Sequence, residues 1–306
     1  MASDAAMLSN KDRNGKALQS CCCKACGLIF NTPLPAEGEL RDFYRKRYRL
    51  IYKKTSHPKR RHHLRYAGWI ADQIAANPHI YKRARTMLDI GSGSGEALAI
   101  LSKIGLQVEG IEPTSDYAHY VTKTFNVPVF NGSIDDFHSD KTYDLIRLNH
   151  VLEHMRDPIE KLGVIRNLLS DDGVLHVEVP DVRAYFRSKS PGRIFHYGHI
   201  YNFSHETLVM TAAHAGFNKV GEFGPTSIYF QKCEPFKIVP SLDLAREFIA
   251  MNDLHQAGGY RRKTSGIGKG VRRIIAHVKE QIALRRLGSA NDIIEHFARR
   301  VERLLA

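Results

Sequence analysis

Apolar and polar positions are most regularly ordered in a block that starts near residue 86. Thr86 to Ile90 reads as a short buried strand, followed by a polar loop carrying Gly91, Gly93 and Gly95. Glu96 to Lys103 has helical spacing, and Gln107 to Ile111 reads as a second strand ending on Glu112. The order continues with a helix over 115–125, a third strand from Val127 to Phe130 and a fourth over 143–148. A helix over 157–169, beginning near Pro158, precedes a fifth strand over 173–179. Ser204 opens and Gly216 closes a helix over 204–215, and Val220–Phe223 with Ile228–Cys233 reads as a hairpin. Upstream, 39–54 and 62–77 have helical spacing, separated by Thr55, Ser56, His57 and Pro58. Downstream, helices fit 241–257, 271–287 and 289–305, with glycine-rich interruptions at 258–259 and 266–270. Residues 1–20 are polar and read as loosely ordered.

Strand, glycine loop, helix and strand with a terminal carboxylate describe the first half of a nucleotide-binding α/β domain. Glycines let the backbone approach a ligand, a helix start offers free N–H groups, and a carboxylate after the second strand can accept from two ribose hydroxyls. A dinucleotide fingerprint wants a third glycine three residues after the second, and here that position is Glu96. Its charge would repel a pyrophosphate but suits a ligand with an amino group and a sulfonium. Asp89 adds a second carboxylate, so the charges predict an adenosine with a cationic far end rather than NAD.

Composition narrows the class. Hydrophobic residues make up 43% of the 306 positions and charged residues 25%, as in a soluble globular protein. No stretch of eighteen apolar residues occurs and the start lacks an apolar signal segment, so the expected location is the cytoplasm. The formal charge of +13 is uneven: residues 41–66 hold eleven Lys/Arg against one Asp, and 260–306 hold twelve Lys/Arg against four Asp/Glu. Two basic appendages therefore flank a mildly acidic body, and they suit anionic small molecules, nucleic acid or anionic surfaces. The expected organisation is an amino-terminal segment over 1–38, a helical cap over 39–80, the ligand-binding core over 81–236 and a basic helical extension over 237–306.

Leu88-Asp89-Ile90-Gly91-Ser92-Gly93-Ser94-Gly95 resembles the first motif of the class I, Rossmann-like methyltransferases that use S-adenosylmethionine, and Gly110-Ile111-Glu112-Pro113 resembles their second. Further matches follow in order. Gly132-Ser133-Ile134-Asp135 resembles the segment beside the adenine, and Tyr143-Asp144-Leu145-Ile146 with Asn149 to His154 resembles the fourth strand and its loop. Gly173-Val174-Leu175 and Val177-Glu178-Val179-Pro180 resemble the fifth strand. The resemblance implies a seven-stranded, mostly parallel sheet whose last strand runs antiparallel. It implies S-adenosylmethionine as cofactor, held by Asp89, Gly91, Ser92, Gly93, Gly95, Glu112, Pro113, Ser133, Ile134, Asp135, Asn149 and His150.

Cys21, Cys22, Cys23 and Cys26, with Gly27 to Asn31, Pro33, Leu40, Phe43, Tyr44 and Tyr48, resemble the zinc-module lead-in of some bacterial sugar and natural-product methyltransferases. Those place a first Cys-x-x-Cys some twenty residues upstream, where this chain has Ala5, Ala6 and Met7, so a degenerate module without zinc is expected. Tyr44 and Tyr48 suit either a core or a cleft role, and Arg60, Arg61, His62 and His63 either a solvated face or an anion contact.

Candidate chemistry gathers in two loops. His150-Val151-Leu152-Glu153-His154 matches the H-x-x-E-H zinc-protease pattern, but it follows a strand directly and Asp157-Pro158 cuts it short, so that chemistry is set aside. His150 and Glu153 remain candidates for the acceptor side, with His154 holding the loop. Pro180-Asp181 leads into a long loop ending in Phe195 to Ser204, where His196 and His199 interleave with aromatics that suit stacking on an acceptor. Of the two, His199 matches a position where the resembled family often has histidine. Methyl transfer itself needs alignment and, for some acceptors, a base, but no metal. The resulting expectation is a methyltransferase for a polar small molecule, sugar-containing or anionic. A nucleic-acid methyltransferase and a non-catalytic binding protein are the alternatives, and the tail also suits an oligomerisation element.

Overall fold

A computed structural model describes residues 4–44, 58–190, 192–238, 241–258 and 267–306. Two compact units divide the chain, and both are discontinuous in sequence. One comprises Met1–Leu40, His150–Asn167 and Val177–Thr264, the other Arg41–Asn149, Leu168–His176 and Ser265–Ala306.

The strands are β1 (Ala5–Lys11), β2 (Ala17–Cys23), β3 (Ile29–Thr32), β4 (Thr86–Ile90), β5 (Gln107–Ile111), β6 (Val129–Phe130), β7 (Tyr143–Asn149), β8 (Leu169–Glu178), β9 (Tyr201–Asn202), β10 (Phe217–Glu222) and β11 (Ser227–Lys232). The larger sheet has seven strands in the order β10-β11-β8-β7-β4-β5-β6. β4 pairs in parallel with both β5 and β7, and β10 pairs antiparallel with β11, which gives the mixed Rossmann-like sheet expected.

In the second unit, β4 is buried from Met87 to Ile90, as befits a central parallel strand covered on both faces. Helix α4 (Glu96–Lys103) begins after Gly95, whose φ of +79° is left-handed. A Cβ there would approach Val121 Cγ1 and Cγ2 to 2.7 Å, so glycine is required by conformation and by space. Helix α5 (Ser115–Phe125) supplies Val121. The carboxy-terminal helix α11 (Ala290–Leu305) buries Ile293, Ile294, Phe297, Ala298 and Val301, and is capped by Ser289 and Asp292. Its Arg300 reaches Asp72 of helix α2 (Arg60–Ala76) at 2.6 Å, and its Glu295 meets Lys103 at 2.9 Å. The part of the extension from Ser265 onward is thus integral to this unit, while residues 237–264 belong to the other.

In the first unit, β1, β2, β3 and β9 form a four-stranded sheet, with β1–β2, β2–β3 and β3–β9 all antiparallel. The loose order expected for residues 1–20 is therefore wrong. Only Leu8 of β1 is buried, which makes the strand faint in sequence. Leu8, Cys22 and Ile29 share a core with Phe186, Phe195, Leu244 and Phe248. Helix α9 (Leu242–Gln256) covers that core, and Asp181 caps helix α7 (Val182–Ser188) inside the stretch read as one long loop. α8 (His205–His214) has the Ser204 capping box, and Gly216 follows in the left-handed region.

The other boundaries shift. The third strand shortens to two residues, the fifth begins at Leu169, and α10 (Ile267–Arg286) begins before 271. The helix expected over 39–54 is described only as α1 (Glu37–Asp42) and a π-helical continuation through Phe43 and Tyr44, and residues 45–57, Tyr48 among them, and 259–266 lie outside the described residues. The short helices α3 (Pro78–Arg83) and α6 (Pro158–Leu168) complete the set used below.

The zinc-module resemblance is not carried into the structure. Cys22 is fully buried among apolar side chains, and Cys23 and Cys26 flank a turn in which the Gly27 N–H donates to the Cys23 carbonyl at 2.8 Å. Burial pushes the Cys22 and Cys26 thiols up to about 12 and about 11. Among the described residues, no cysteine takes part in a group with metal-ligand spacing.

Candidate active site

The glycine loop belongs to the second unit and is built around a carboxylate. Glu112 is 2% exposed; its Oε2 accepts from the Gly93 N–H at 2.9 Å and its Oε1 from the Thr114 N–H at 3.1 Å. The Gly91 and Ser92 N–H groups donate to the Ile111 carbonyl at 2.8 and 3.0 Å, and Gly95 closes the turn onto Ser92. The loop is therefore folded back over the end of β5. Both carboxylate oxygens thus shape the loop at the end of β5. Half-buried Pro113 separates Glu112 from Thr114, which precedes α5.

Asp89 and Glu96 differ from expectation. Asp89 is 1% exposed and meets Arg147 Nη1 at 3.4 Å, across the β4–β7 pairing. Burial pushes its carboxyl up to about 6 against the opposing pull of Arg147. Glu96 does not present its charge to a ligand: it is buried, its Oε1 lies 2.8 Å from His63 Nδ1, and both oxygens accept from the Ser94 hydroxyl at 2.7 and 2.9 Å. His63 Nε2 in turn contacts the Tyr120 hydroxyl at 2.8 Å. A buried carboxylate needs close donors, and α2 supplies one from a position read as a solvated face.

Arg60 and Arg61 also leave the anion-binding list. Arg60 donates to the Leu284 carbonyl and, at 2.6 Å, to that of Leu287, while Arg61 and Arg65 both reach Glu280 at 2.7 Å. They cap and pin α10, where guanidinium groups complement a helix carboxy terminus.

Ile134 is buried; Ser133 donates its N–H and hydroxyl to Asp136 at 3.3 and 2.8 Å, leaving Asp135 exposed beside a turn made by its neighbour. Asn149 ends β7, and its buried Oδ1 has no hydrogen bond. The Ser92 hydroxyl is likewise buried without one.

The acceptor-side candidates sit in the first unit. His150 has a φ of +56°, and its N–H donates to the Glu178 carbonyl at 2.8 Å. Glu153 lies on a short 3-10 turn, Leu152–His154, and is 1% exposed. Its Oε1 is 3.5 Å from His150 Nδ1, 3.7 Å from His154 Nε2 and 3.8 Å from His199 Nε2. His154 Nδ1 contacts the Gly198 carbonyl. The His196 and His199 rings lie 3.7 Å apart, and the Gly198 N–H donates to His196 Nδ1 at 3.2 Å. Burial pushes His196 down to about 2 and His199 well below the usual histidine range. Both rings are therefore neutral at physiological pH. Of the expected cluster, His150, Glu153 and His199 converge, whereas His196 supports the turn.

The turn is held from the amino-terminal sheet. Asn31, buried on β3, donates to the His199 and His196 carbonyls at 2.8 and 3.2 Å, and accepts from the Ser20 hydroxyl at 2.7 Å. Tyr120 and Arg147 escaped the sequence reading, and Asn31 and His63 were named there only for other roles. For Arg147 a signal existed, since a lone charge inside the apolar run of β7 must find a buried partner.

Comparison with known proteins supplies the family. Residues 60–222 match the methyltransferase-domain family model. An uncharacterized methyltransferase of Staphylococcus carnosus is 32% identical over 92 residues, 29% of this chain and 44% of that protein. A ubiquinone biosynthesis O-methyltransferase of Actinobacillus pleuropneumoniae is 28% identical over 102 residues, 30% of this chain and 44% of that protein. The chain thus spans less than half the length of these curated relatives. Among solved structures, a Burkholderia thailandensis 1,6-didemethyltoxoflavin-N1-methyltransferase aligns at 19% identity and a TM-score of 0.47, covering 68% of this chain and 96% of that one. The sugar N-methyltransferase KedS8 from Streptoalloteichus aligns at 18% identity and a TM-score of 0.41, covering 55% of this chain and 87% of that one. The family match spans more than half of the residues, and the chain belongs to the methyltransferase-domain family.

Proposed function

We propose that this protein transfers a methyl group from S-adenosylmethionine to a polar small-molecule acceptor, with sugar-containing or anionic metabolites as the favoured class. The enzyme class follows from the family; the acceptor class is our reading. The observation that carries the cofactor is Glu112, a buried carboxylate at the end of β5 that shapes the glycine loop through Gly93 and is our candidate acceptor for two ribose hydroxyls. Gly91, Ser92, Gly95 and Pro113 form the cradle around it, we assign Ile134 with Ser133 and Asp135 to the adenine and Asn149 to the methionine end, and His150 is retained on the motif resemblance alone. Asp89 acts through its ion pair with Arg147 rather than by direct contact.

The acceptor is assigned to the loops that carry His150, Glu153 and His199, with His196 as support. Transfer is an in-line displacement: the acceptor's lone pair forms the new bond to the methyl carbon as the carbon–sulfur bond breaks and sulfur regains its electron pair. Alignment of those three atoms is the main service of the protein. A small acceptor is favoured over nucleic acid because Arg60, Arg61 and Arg65 are engaged with α10 and Glu280 instead of forming a free cationic track. Two curated relatives are named as a ubiquinone biosynthesis O-methyltransferase and a probable (S)-tetrahydroprotoberberine N-methyltransferase.

Methyl transfer from labelled cofactor to a fractionated metabolite pool, total RNA and DNA, at low and physiological salt, tests the reading. Label in a low-molecular-weight fraction that persists at physiological salt is expected. Label confined to RNA or DNA, weakening steeply with salt, would replace it with the nucleic-acid alternative.

A further inference from the structure

Glu153 poses a problem that its surroundings do not solve with protons alone. It is 1% exposed, and neither carboxylate oxygen accepts a hydrogen bond. Burying a carboxylate without donors is expensive, so such a group is ordinarily paired by close donors or by a metal. Three histidines surround it, but their nitrogens stop 3.5 to 3.8 Å from Oε1, beyond a good hydrogen bond.

His154 sharpens the case. Its Nδ1 contacts the Gly198 carbonyl, which can only accept, so Nδ1 carries the proton. Nε2 then faces the Glu153 carboxylate at 3.7 Å, too long for a good hydrogen bond. A ring N–H on a backbone carbonyl is also the usual support for a metal-ligating histidine. His199 approaches the same carboxylate through Nε2, and its turn is fixed by Asn31. One ligand atom each from Glu153, His154 and His199 lie within 4.8 Å of one another. Bonds of about 2.0–2.1 Å at tetrahedral angles separate ligand atoms by roughly 3.3–3.4 Å; the two carboxylate edges, at 3.7 and 3.8 Å, stand a few tenths of an ångström beyond that, and the His154–His199 edge lies within 4.8 Å and closes further on binding.

We infer that Glu153, His154 and His199 form a binding site for one divalent first-row transition-metal ion. Two imidazoles and one carboxylate suit such an ion, whereas magnesium and calcium favour oxygen-only sets. Three protein ligands leave coordination positions open, and half-exposed His150 marks the side toward solvent. The H-x-x-E-H pattern thus contributes its glutamate and second histidine, while His199 takes the place of the first. The site lies wholly within the first unit and does not rest on the acceptor reading above.

The test uses the full-length protein, stripped with chelator and titrated with Co2+. One equivalent per chain is expected, with the visible ligand-field bands of a four- or five-coordinate site. Glu153→Gln and His199→Gln should each lose stoichiometric binding, with S-adenosylmethionine affinity unchanged to show that the fold survives. Cys23→Ser/Cys26→Ser should bind Co2+ as the wild type does. X-ray absorption on the wild-type Co2+ complex guards against variants that fail to fold: two imidazoles and no sulfur are expected. No stoichiometric binding, full retention in both site variants, or sulfur ligation would overturn the inference. Binding of S-adenosylmethionine without Co2+ would leave the cofactor reading intact and remove this one alone.

Discussion

The side-chain amide of Asn31 donates to the carbonyl oxygen of His199 at 2.8 Å, and so a residue of the amino-terminal sheet sets the backbone of the histidine turn. The same amide reaches His196, and Ser20 fixes the amide's own orientation. Around this contact, the Asn31 N–H donates to Ile200 and the Arg13 N–H to Phe195, at 2.8 and 2.7 Å. The lead-in contributes a buried polar network. Its task is to hold the turn.

Asn31→Ala strips acceptors and donors of buried partners, and a stability loss of about 1–3 kcal/mol is expected. Urea unfolding measures it. Methyl transfer should fall further than stability explains, while calorimetry should find the affinity for S-adenosylmethionine within about threefold of wild type. Equal loss of cofactor affinity and turnover would contradict a role confined to the turn.

Gly95→Ala combines left-handed strain with a clash against Val121, for an expected cost of about 2–4 kcal/mol. Pairing it with Val121→Ala should recover the steric part and leave the conformational part. A double-mutant cycle by chemical denaturation separates them. Full recovery in the pair would show that φ carries no penalty.

Glu96 gives a pH signature. Burial pushes its carboxyl up, but the His63 and Ser94 contacts outweigh it and hold the group below its ordinary 4.5. A lowered carboxylate contributes stability that is complete above the ordinary value and is lost as pH falls through the folded one. Wild type should therefore exceed Glu96→Gln in stability near neutrality, and the gap should close below pH 4.5. Thermal unfolding of both proteins between roughly pH 3 and 7 reads it. A constant gap would assign the effect to shape instead of charge.

Ile294→Ala probes the carboxy-terminal extension. Ile294 is fully buried on α11, so the change should destabilise by about 2–4 kcal/mol. A change below about half a kcal/mol would make α11 a detachable appendage.

These outcomes bear on what a chain can disclose. The block from β4 to β8 was legible because apolar runs, a glycine loop and terminal carboxylates recur at short spacing, each a local signal. The hairpin of β1 and β2 was not, because Leu8 is the one buried residue of β1, β2 buries only Ser20 and Cys22, and the pair is completed by β3 and the distant β9. Glu112 was legible as a carboxylate at a strand end, whereas the fate of Glu96 depended on His63, 33 positions away on another helix. Glu153 and His199 were each named from their loops. Their convergence on one carboxylate is a tertiary fact that sequence spacing does not encode.

Calorimetric binding of S-adenosylmethionine and its demethylated product to wild type and Glu112→Ala tests the central claim most directly. Wild type should bind one cofactor per chain, and the variant should lose about 2–4 kcal/mol, roughly 30- to 1,000-fold in affinity, through two charge-assisted hydrogen bonds to ribose. Unchanged affinity in a folded variant would move the ribose contact elsewhere. Wild-type protein that binds neither compound but binds NAD tightly would contradict the account.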